Sequence, residues 1–282
     1  MPPKNSSNRE EYLKKKRARK RMHFFLGIFV FIFIISILSF ISYRPALRIS
    51  KVELSGGVLV SQTDVESNVL KFLDGSYFWL FPKNNSIIYP KTKLEKYLTT
   101  SFPRIETINI DLQNFHTLKI IITEHKQDAL WCDTLPSQSA FDTGSPEHCY
   151  FMNSNGLIFS TAPNFSGDAY FKYYGLLSTD EPIGKFYIAS STEFSDITDF
   201  ISTIRKFSLR PQYLLASGDD QYTLFLSGNG KIYFDTKTPL STVAQNLSAL
   251  LRTTAFASTS SQNLPIEYID LRFGNKLFYK LK

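Results

Sequence analysis

Residues 24–43 carry no charged side chain, and fifteen of the twenty are Leu, Ile, Val or Phe. At about 1.5 Å per residue, a helix of that length extends roughly 30 Å, the thickness of one hydrocarbon core. The apolar residues run all the way round such a helix, where a globular helix of similar length would keep a polar stripe. The segment therefore predicts one transmembrane helix. It divides the chain into a short leading stretch and some 239 residues beyond.

Lys and Arg give the direction of insertion. Nine lie in residues 1–23 (Lys4, Arg9, Lys14, Lys15, Lys16, Arg17, Arg19, Lys20, Arg21), against Arg44, Arg48 and Lys51 just past the span. The positive-inside rule places residues 1–23 in the cytoplasm as a basic tail and the remainder outside it. A cleaved signal peptide would have a shorter apolar core and a small-residue cleavage site. The exit Ser42-Tyr43-Arg44-Pro45 has no such site, so an uncleaved type II signal-anchor is expected. The net charge of +7 follows the same partition, because beyond residue 23 the basic and acidic residues balance at 23 each. The basic balance thus belongs to the tail, where it sets topology and meets anionic lipid, and not to a nucleic-acid-binding face.

The extracytoplasmic part reads as α+β in two pieces. Over residues 49–126 the order is β-α-α-β-β. Val52 and Leu54 sit in a short strand closed by Gly56-Gly57. Val65, Val69, Phe72 and Leu73 follow at helical spacing, with Ser61 or Thr63 as a cap. Thr92-x-x-Glu95 has the form of a capping box for a second helix bearing Leu94, Tyr97 and Leu98. Ile108, Ile110 and Leu112, then Leu118, Ile120 and Ile122, alternate as two strands of a hairpin. Between the helices lies Tyr77-Phe78-Trp79-Leu80-Phe81. Such a cluster reads first as core, with the bilayer interface as the alternative.

Residues 127–282 predict a strand-rich, curved antiparallel sheet with two helices. Asn155-Gly156 and Asn229-Gly230 carry type I′ hairpin signals, and Gly274-Asn275 a type II′ signal. One helix carries Phe194, Ile197, Phe200, Ile201, Ile204 and Phe207; the other starts at Pro239 and carries Leu240, Val243, Ala244, Leu247, Leu250 and Leu251. Residues 135–147 and 253–263 read as surface loops.

Candidate chemistry is sparse. The chain has four histidines and two cysteines and lacks the spacings of a zinc site. Gly-x-Ser-x-Gly, Ser-x-x-Lys with its partner motifs, and a Walker loop are also missing. No cofactor, small-molecule substrate or catalytic residue is therefore expected. His148 beside Cys149 has the look of a nucleophile pair, but adjacent strand residues point to opposite faces. Cys132 and Cys149, both extracytoplasmic, are candidates for a disulfide, with two buried thiols as the alternative. Asp219-Asp220, after Gly218 and before a strand, reads as a solvated turn.

The order of these pieces resembles the bacterial cell-division family FtsQ/DivIB. Ile49-Ser50-Lys51-Val52-Glu53-Leu54-Ser55-Gly56 looks like the opening of that family's POTRA domain. Pro103-Arg104-Ile105-Glu106-Thr107-Ile108-Asn109-Ile110 resembles its second strand. The strand 118–125 followed by Ala129-Leu130-Trp131 is similar to its exit from that domain. The segment 150–159 looks like its first β-domain hairpin, and Ile269-Asp270-Leu271-Arg272-Phe273 like its closing strand. There are departures: Asn114-Phe115-His116 stands where a basic residue and proline are common, Asn153 replaces a common Asp, and the cysteine pair is not a general feature. The resemblance implies a POTRA domain over 49–126 and a β domain over 127–282. It further implies a non-catalytic divisome scaffold at the septum of the inner membrane. The partners it implies are the single-pass coiled-coil proteins FtsB and FtsL, bound by strand addition at the closing edge. Carried over, the contact residues are Asp270, Leu271, Arg272, Phe273, Phe278 and Tyr279. An ordinary terminal hairpin is the competing reading of these residues, and for Leu271 the favoured one. Two other functions compete, an extracytoplasmic cell-envelope enzyme and a POTRA-bearing export or sensor component.

Overall fold

A computed structural model of the chain describes residues 6–135, 147–163, 169–177, 181–253, 256, 265–274 and 276–282. Helix α1 (Ser6–Ser42) is 37 residues long. It continues from the basic stretch into the apolar one without a break, and from Lys14 onward it is long and apolar enough to cross a membrane. The chain forms two compact units, residues 1–102 with 107–123, and residues 103–106 with 124–282.

The first unit contains a three-stranded sheet and two helices beside α1. Strand β1 (Lys51–Ser55) leads to α2 (Gln62–Phe72), then to a two-stranded hairpin of β2 (Ser76–Tyr77) and β3 (Phe81–Pro82), then to α3 (Lys91–Ser101). Strands β4 (Ile105–Gln113) and β5 (Thr117–Glu124) complete the sheet in the order β1-β5-β4, with β1 parallel to β5. A parallel neighbour requires a long crossover, which the two helices provide. Val52, Val65, Val69, Leu94, Leu98, Ile110, Leu118, Ile120 and Ile122 are buried. Ser61 caps α2, its hydroxyl accepting from the Asp64 amide. The expected Thr92 capping box does not form. Pro90 occupies the N-cap position and the helix begins at Lys91, so Thr92 lies inside the first turn.

The second unit is built on one nine-stranded sheet. Its strands are β6 (Ala129–Cys132), β7 (Cys149–Met152), β8 (Ile158–Thr161), β9 (Phe171–Gly175), β10 (Pro211–Gly218), β11 (Gln221–Leu226), β12 (Lys231–Asp235), β13 (Ile266–Phe273) and β14 (Lys276–Leu281). They lie in the order β14-β13-β12-β11-β10-β9-β6-β7-β8. The antiparallel expectation is corrected here, because β9 runs parallel to both β6 and β10, and β12 parallel to β13. For β9–β10 and β12–β13 the cause is a helix, whereas β6 and β9 are linked through the strands β7 and β8. Helix α4 (Ser191–Lys206) lies in the β9–β10 connection, and α5 (Leu240–Leu251) in the β12–β13 connection. Each turns a hairpin into a crossover.

Alternation sorts the sheet residues onto two faces. Ala129, Trp131, Leu214, Leu224, Ile232, Phe234 and Ile269 pack with Phe194, Ile197, Phe200, Ile201 and Ile204 of α4 and Val243 and Leu247 of α5. Leu130, Cys132, Cys149, Phe151, Phe159 and Tyr174 form a smaller cluster.

The turns differ in detail from their sequence signals. At Asn155-Gly156 only the glycine has positive φ (81°), so the turn is not type I′. The Asn153 side chain organises it, accepting from the amides of Asn155 and Leu157 at 3.0 and 2.9 Å. In the β11–β12 turn the positive-φ pair is Gly228-Asn229, one residue earlier than expected. Asp219-Asp220 is an exposed turn with both φ values positive. Asn275 and most of residues 135–147 and 253–263 lie outside the described residues. The core expectation for the aromatic cluster is also corrected. Phe78 and Trp79 are 85% and 91% exposed, because they form the tip of the β2–β3 hairpin.

Candidate partner-binding edge

The hairpin β13–β14 ends the nine-stranded sheet, and among the described residues no strand pairs beyond β14. Two bulges shape it. Between the pairs Ile266↔Leu281 and Tyr268↔Lys280, and again between Asp270↔Phe278 and Phe273↔Lys276, β13 has one residue more than β14. Such bulges bend a strand and sharpen its twist.

The second bulge contains Leu271 and Arg272, which therefore diverge. Leu271 is 4% exposed and belongs to the main core, so its side chain offers no surface. Arg272 folds back over Asp270. Its Nε and Nη2 donate to the two carboxylate oxygens at 2.8 and 2.5 Å, and its backbone N–H donates to Oδ1 at 3.2 Å. Its remaining Nη1 donates to Gln221 Oε1 at 3.0 Å, and the guanidinium lies 5.2 Å from the Tyr233 ring centroid. The hydrogen bonds to Asp270 push the Arg272 pKa up. Asp270 is buried and Arg272 partly so. This pair is consequently a clamp inside the hairpin, and its charges are largely used within the chain.

Aromatic rings form the exposed part. Phe273 and Phe278 meet edge to face at 5.2 Å, and Tyr279 packs on Phe256 at 5.3 Å. Phe273, Phe278 and Tyr279 keep 53%, 50% and 43% of their surface exposed. Lys280 donates to Glu267 across the hairpin at 3.0 Å, and that hydrogen bond raises its pKa. The Asn246 side chain of α5 donates to the Gly274 carbonyl at 3.1 Å, holding the turn. Sequence reasoning missed Gln221, Tyr233, Asn246 and Phe256. Each lies far from the hairpin in sequence, and its type carries no local signal of that pairing.

The opposite edge is treated differently. At β8, the Gly184 amide donates to the Ile158 carbonyl at 2.7 Å, and the Ile158 amide to the Lys185 carbonyl at 2.9 Å. Leu157 forms a bridge with Phe186. The start of β8 is thus covered by the segment 184–187.

The other chemistry-bearing groups are engaged structurally. Cys132 and Cys149 face each other in the β6–β7 register and are joined by a disulfide. Glu147 lies close to both, but sulfurs in a disulfide bond are not thiolate ligands for a metal. Its carboxylate accepts from Lys172 Nζ at 2.9 Å and from the Tyr174 hydroxyl at 2.6 Å. Burial first, then this hydrogen bond, pushes the Tyr174 pKa up. His148 pairs with Asp133 at 3.2 Å. A surface cleft is lined by Tyr187, Ser190, Glu193, Asp219, Asp220 and Tyr222 among others. Its Glu193 carboxylate accepts from the hydroxyls of Tyr222 and Thr236, and its lining residues include no histidine.

The chain matches no protein-family model and no curated protein.

Proposed function

We infer that this chain is a non-catalytic, single-pass scaffold of the cell-division machinery, of the kind implied by the FtsQ/DivIB resemblance. On this reading α1 is an uncleaved anchor with its basic end in the cytoplasm, and the part of the first unit beyond α1 lies outside with the second unit, at the septum. The sheet order β1-β5-β4 with two crossover helices supports reading the first unit as a POTRA domain. The second unit serves as the partner-binding β domain.

The observation that carries the reading is the unequal treatment of the two sheet edges. The start of β8 is covered by 184–187, while β14 has no strand beside it among the described residues. An open edge is a template for strand addition, with backbone hydrogen bonds for affinity and flanking side chains for specificity. Here Phe278 and Tyr279 provide the apolar contact, and the Asp270–Arg272 clamp holds the hairpin in shape. The partner class is a short single-span coiled-coil protein of the FtsB/FtsL kind.

The test is co-purification of the full chain with such a protein from membranes. A Phe278→Glu, Tyr279→Glu double variant is expected to lose affinity about tenfold or more, the size of a hot-spot loss. Phe278 and Tyr279 are about half-exposed, and a thermal melt of the double variant verifies that it remains folded. Undiminished capture by a folded double variant would refute the assigned edge.

A further inference from the structure

The β2–β3 hairpin spends two of the largest apolar side chains in the first unit on solvent. Phe78 and Trp79 are 85% and 91% exposed and have φ values of 50° and 60°. They are the central residues of a β-turn closed by the Leu80 N–H donating to the Tyr77 carbonyl; such a pair with both φ values positive favours Asn-Gly, because the left-handed region is unfavourable for bulky L-residues. Neither conformation nor solvation rewards Phe-Trp at this position in water.

The place of the tip supplies the missing reward. Ser39 Oγ donates to the Leu80 carbonyl at 2.6 Å, and the Tyr43 hydroxyl donates to the Trp79 carbonyl at 3.2 Å. Both donors come from the uncharged 24–43 segment, near the end of α1. Asn85, 2% exposed, locks the same junction, donating to the Ser42 carbonyl and hydroxyl at 3.0 Å each. Ser86 N–H donates to the Leu47 carbonyl, and Ile49 N–H to that of Asn84. The tip is therefore tied to the helix. Tyr43, which holds Trp79, is the last residue of the uncharged run, and Arg44 after it is the first charge. The tip is thus held where the hydrocarbon core gives way to the interfacial layer, roughly 5–8 Å thick. Trp is favoured in that layer. The neighbouring helix surface is also apolar and open, with Phe40 65% and Ile41 46% exposed.

We propose that Phe78 and Trp79 form a second membrane contact, a wedge seated in the headgroup layer of the leaflet where α1 emerges. Its occupant is lipid, and the proposal rests on the reading of α1 as a membrane anchor. One helix alone leaves a domain free to tilt relative to the bilayer plane. A wedge beside the helix sets the tilt of the first unit against the bilayer.

Tryptophan fluorescence tests this directly, because the chain has two tryptophans and the other, Trp131, is 2% exposed. The full chain is reconstituted at low protein-to-lipid ratio in phosphatidylcholine–phosphatidylglycerol vesicles, with and without lipids brominated near the headgroup. A Trp79→Phe variant gives the Trp131 baseline. The Trp79 emission is expected to be quenched by the bromines and to lose its access to aqueous iodide. Full iodide access in the presence of vesicles, or shielding that appears only as protein is concentrated in the bilayer, would overturn the wedge, the latter in favour of a second copy. Flotation separates this from the anchor reading. A chain that fails to float with the vesicles overturns both, whereas a floating chain with Trp79 open to iodide overturns the wedge alone.

Discussion

Replacing Asp270 with Ala should cost the second unit about 2 kcal/mol. Its carboxylate accepts three hydrogen bonds from Arg272. Hydrogen bonds to charged groups contribute about 1.5–3 kcal/mol when shielded, whereas exposed ion pairs contribute roughly 0–1. The Asp270 side chain is 12% exposed and that of Arg272 31%, so the pair lies between these limits. The two truncations are not equivalent. Without Asp270, Arg272 keeps Gln221 and an open side to water. Without Arg272, Asp270 keeps a nearly covered charge with one backbone donor. Arg272→Met should therefore cost more, about 3 kcal/mol, and the double variant should recover at least about 1 kcal/mol of the summed loss. For a unit of roughly 160 residues, the Asp270→Ala change corresponds to about 4–8 °C in midpoint. Thermal melts of the four chains in detergent, followed through the buried Trp131, measure the cycle. Additive single effects, or an Asp270→Ala shift below about 1 °C, would show that the pair is surface decoration and that the hairpin holds its shape without it.

Three further outcomes follow from other sites. Reducing the Cys132–Cys149 disulfide reopens a 16-residue loop, and unfolding free energies from denaturant titrations with and without reductant should differ by about 3 kcal/mol on the loop-entropy account. Gly175→Ala should cost about 3 kcal/mol, because its Cβ would sit 2.1 Å from the Ala216 carbonyl oxygen at a φ of 82°. Gly184→Ala, also at positive φ but with open space around it, should cost only about 1–2 kcal/mol, and urea titration of both variants checks the contrast. Burial lowers the His125 pKa, so the folded state prefers the neutral ring. This contribution is fully present above the unfolded value near 6.5 and is lost as pH falls from there toward the folded pKa. Melts between pH 8 and pH 5 should fall on the acid side less in a His125→Gln variant than in the parent.

The surroundings of His125 show what the sequence conceals, because beside its burial it has a partner from a distant segment. Asn153 Oδ1 is occupied by the amides of Asn155 and Leu157, so its Nδ2 must face His125 Nδ1, 3.1 Å away. Protonating Nδ1 would set two donors against each other. Local pattern revealed the elements on either side of this contact but not the contact itself. Helix α4 was legible because Phe194, Ile197, Phe200, Ile201 and Ile204 repeat at helical spacing and all are buried. Likewise Ile120 and Ile122 declared a strand by alternation. Strands β9 and β10 went unread. The sequence Phe171-Lys172-Tyr173-Tyr174-Gly175 has little alternation, and its place beside β6 and β10 is set by parallel pairing across long connections. The candidate edge was legible as a hairpin from Gly274 and its flanking apolar residues. The clamp was not, because Gln221 lies 51 residues from Arg272 and the bulge that redirects Arg272 leaves no signature in residue type.

Edge strands are commonly guarded by lysines and by bulges that twist the edge away from flat pairing. The hairpin has both, with Lys276 and Lys280 on β14 and two irregularities along its pairing with β13. Its strongest charge pair is turned inward, so the guard is local and leaves Phe278 and Tyr279 accessible. Beyond residue 23 the acidic and basic residues balance, and a neutral surface provides little long-range steering of a charged partner. Recognition at such a surface depends on short-range fit: backbone hydrogen bonds along β14 and the rings beside them. Short-range fit is efficient when the partner is already confined to the same bilayer, because confinement raises the local concentration that steering would otherwise supply. The anchor and the open edge are therefore complementary parts of the proposed scaffold. On the proposed reading the anchor provides encounter, and the edge provides specificity.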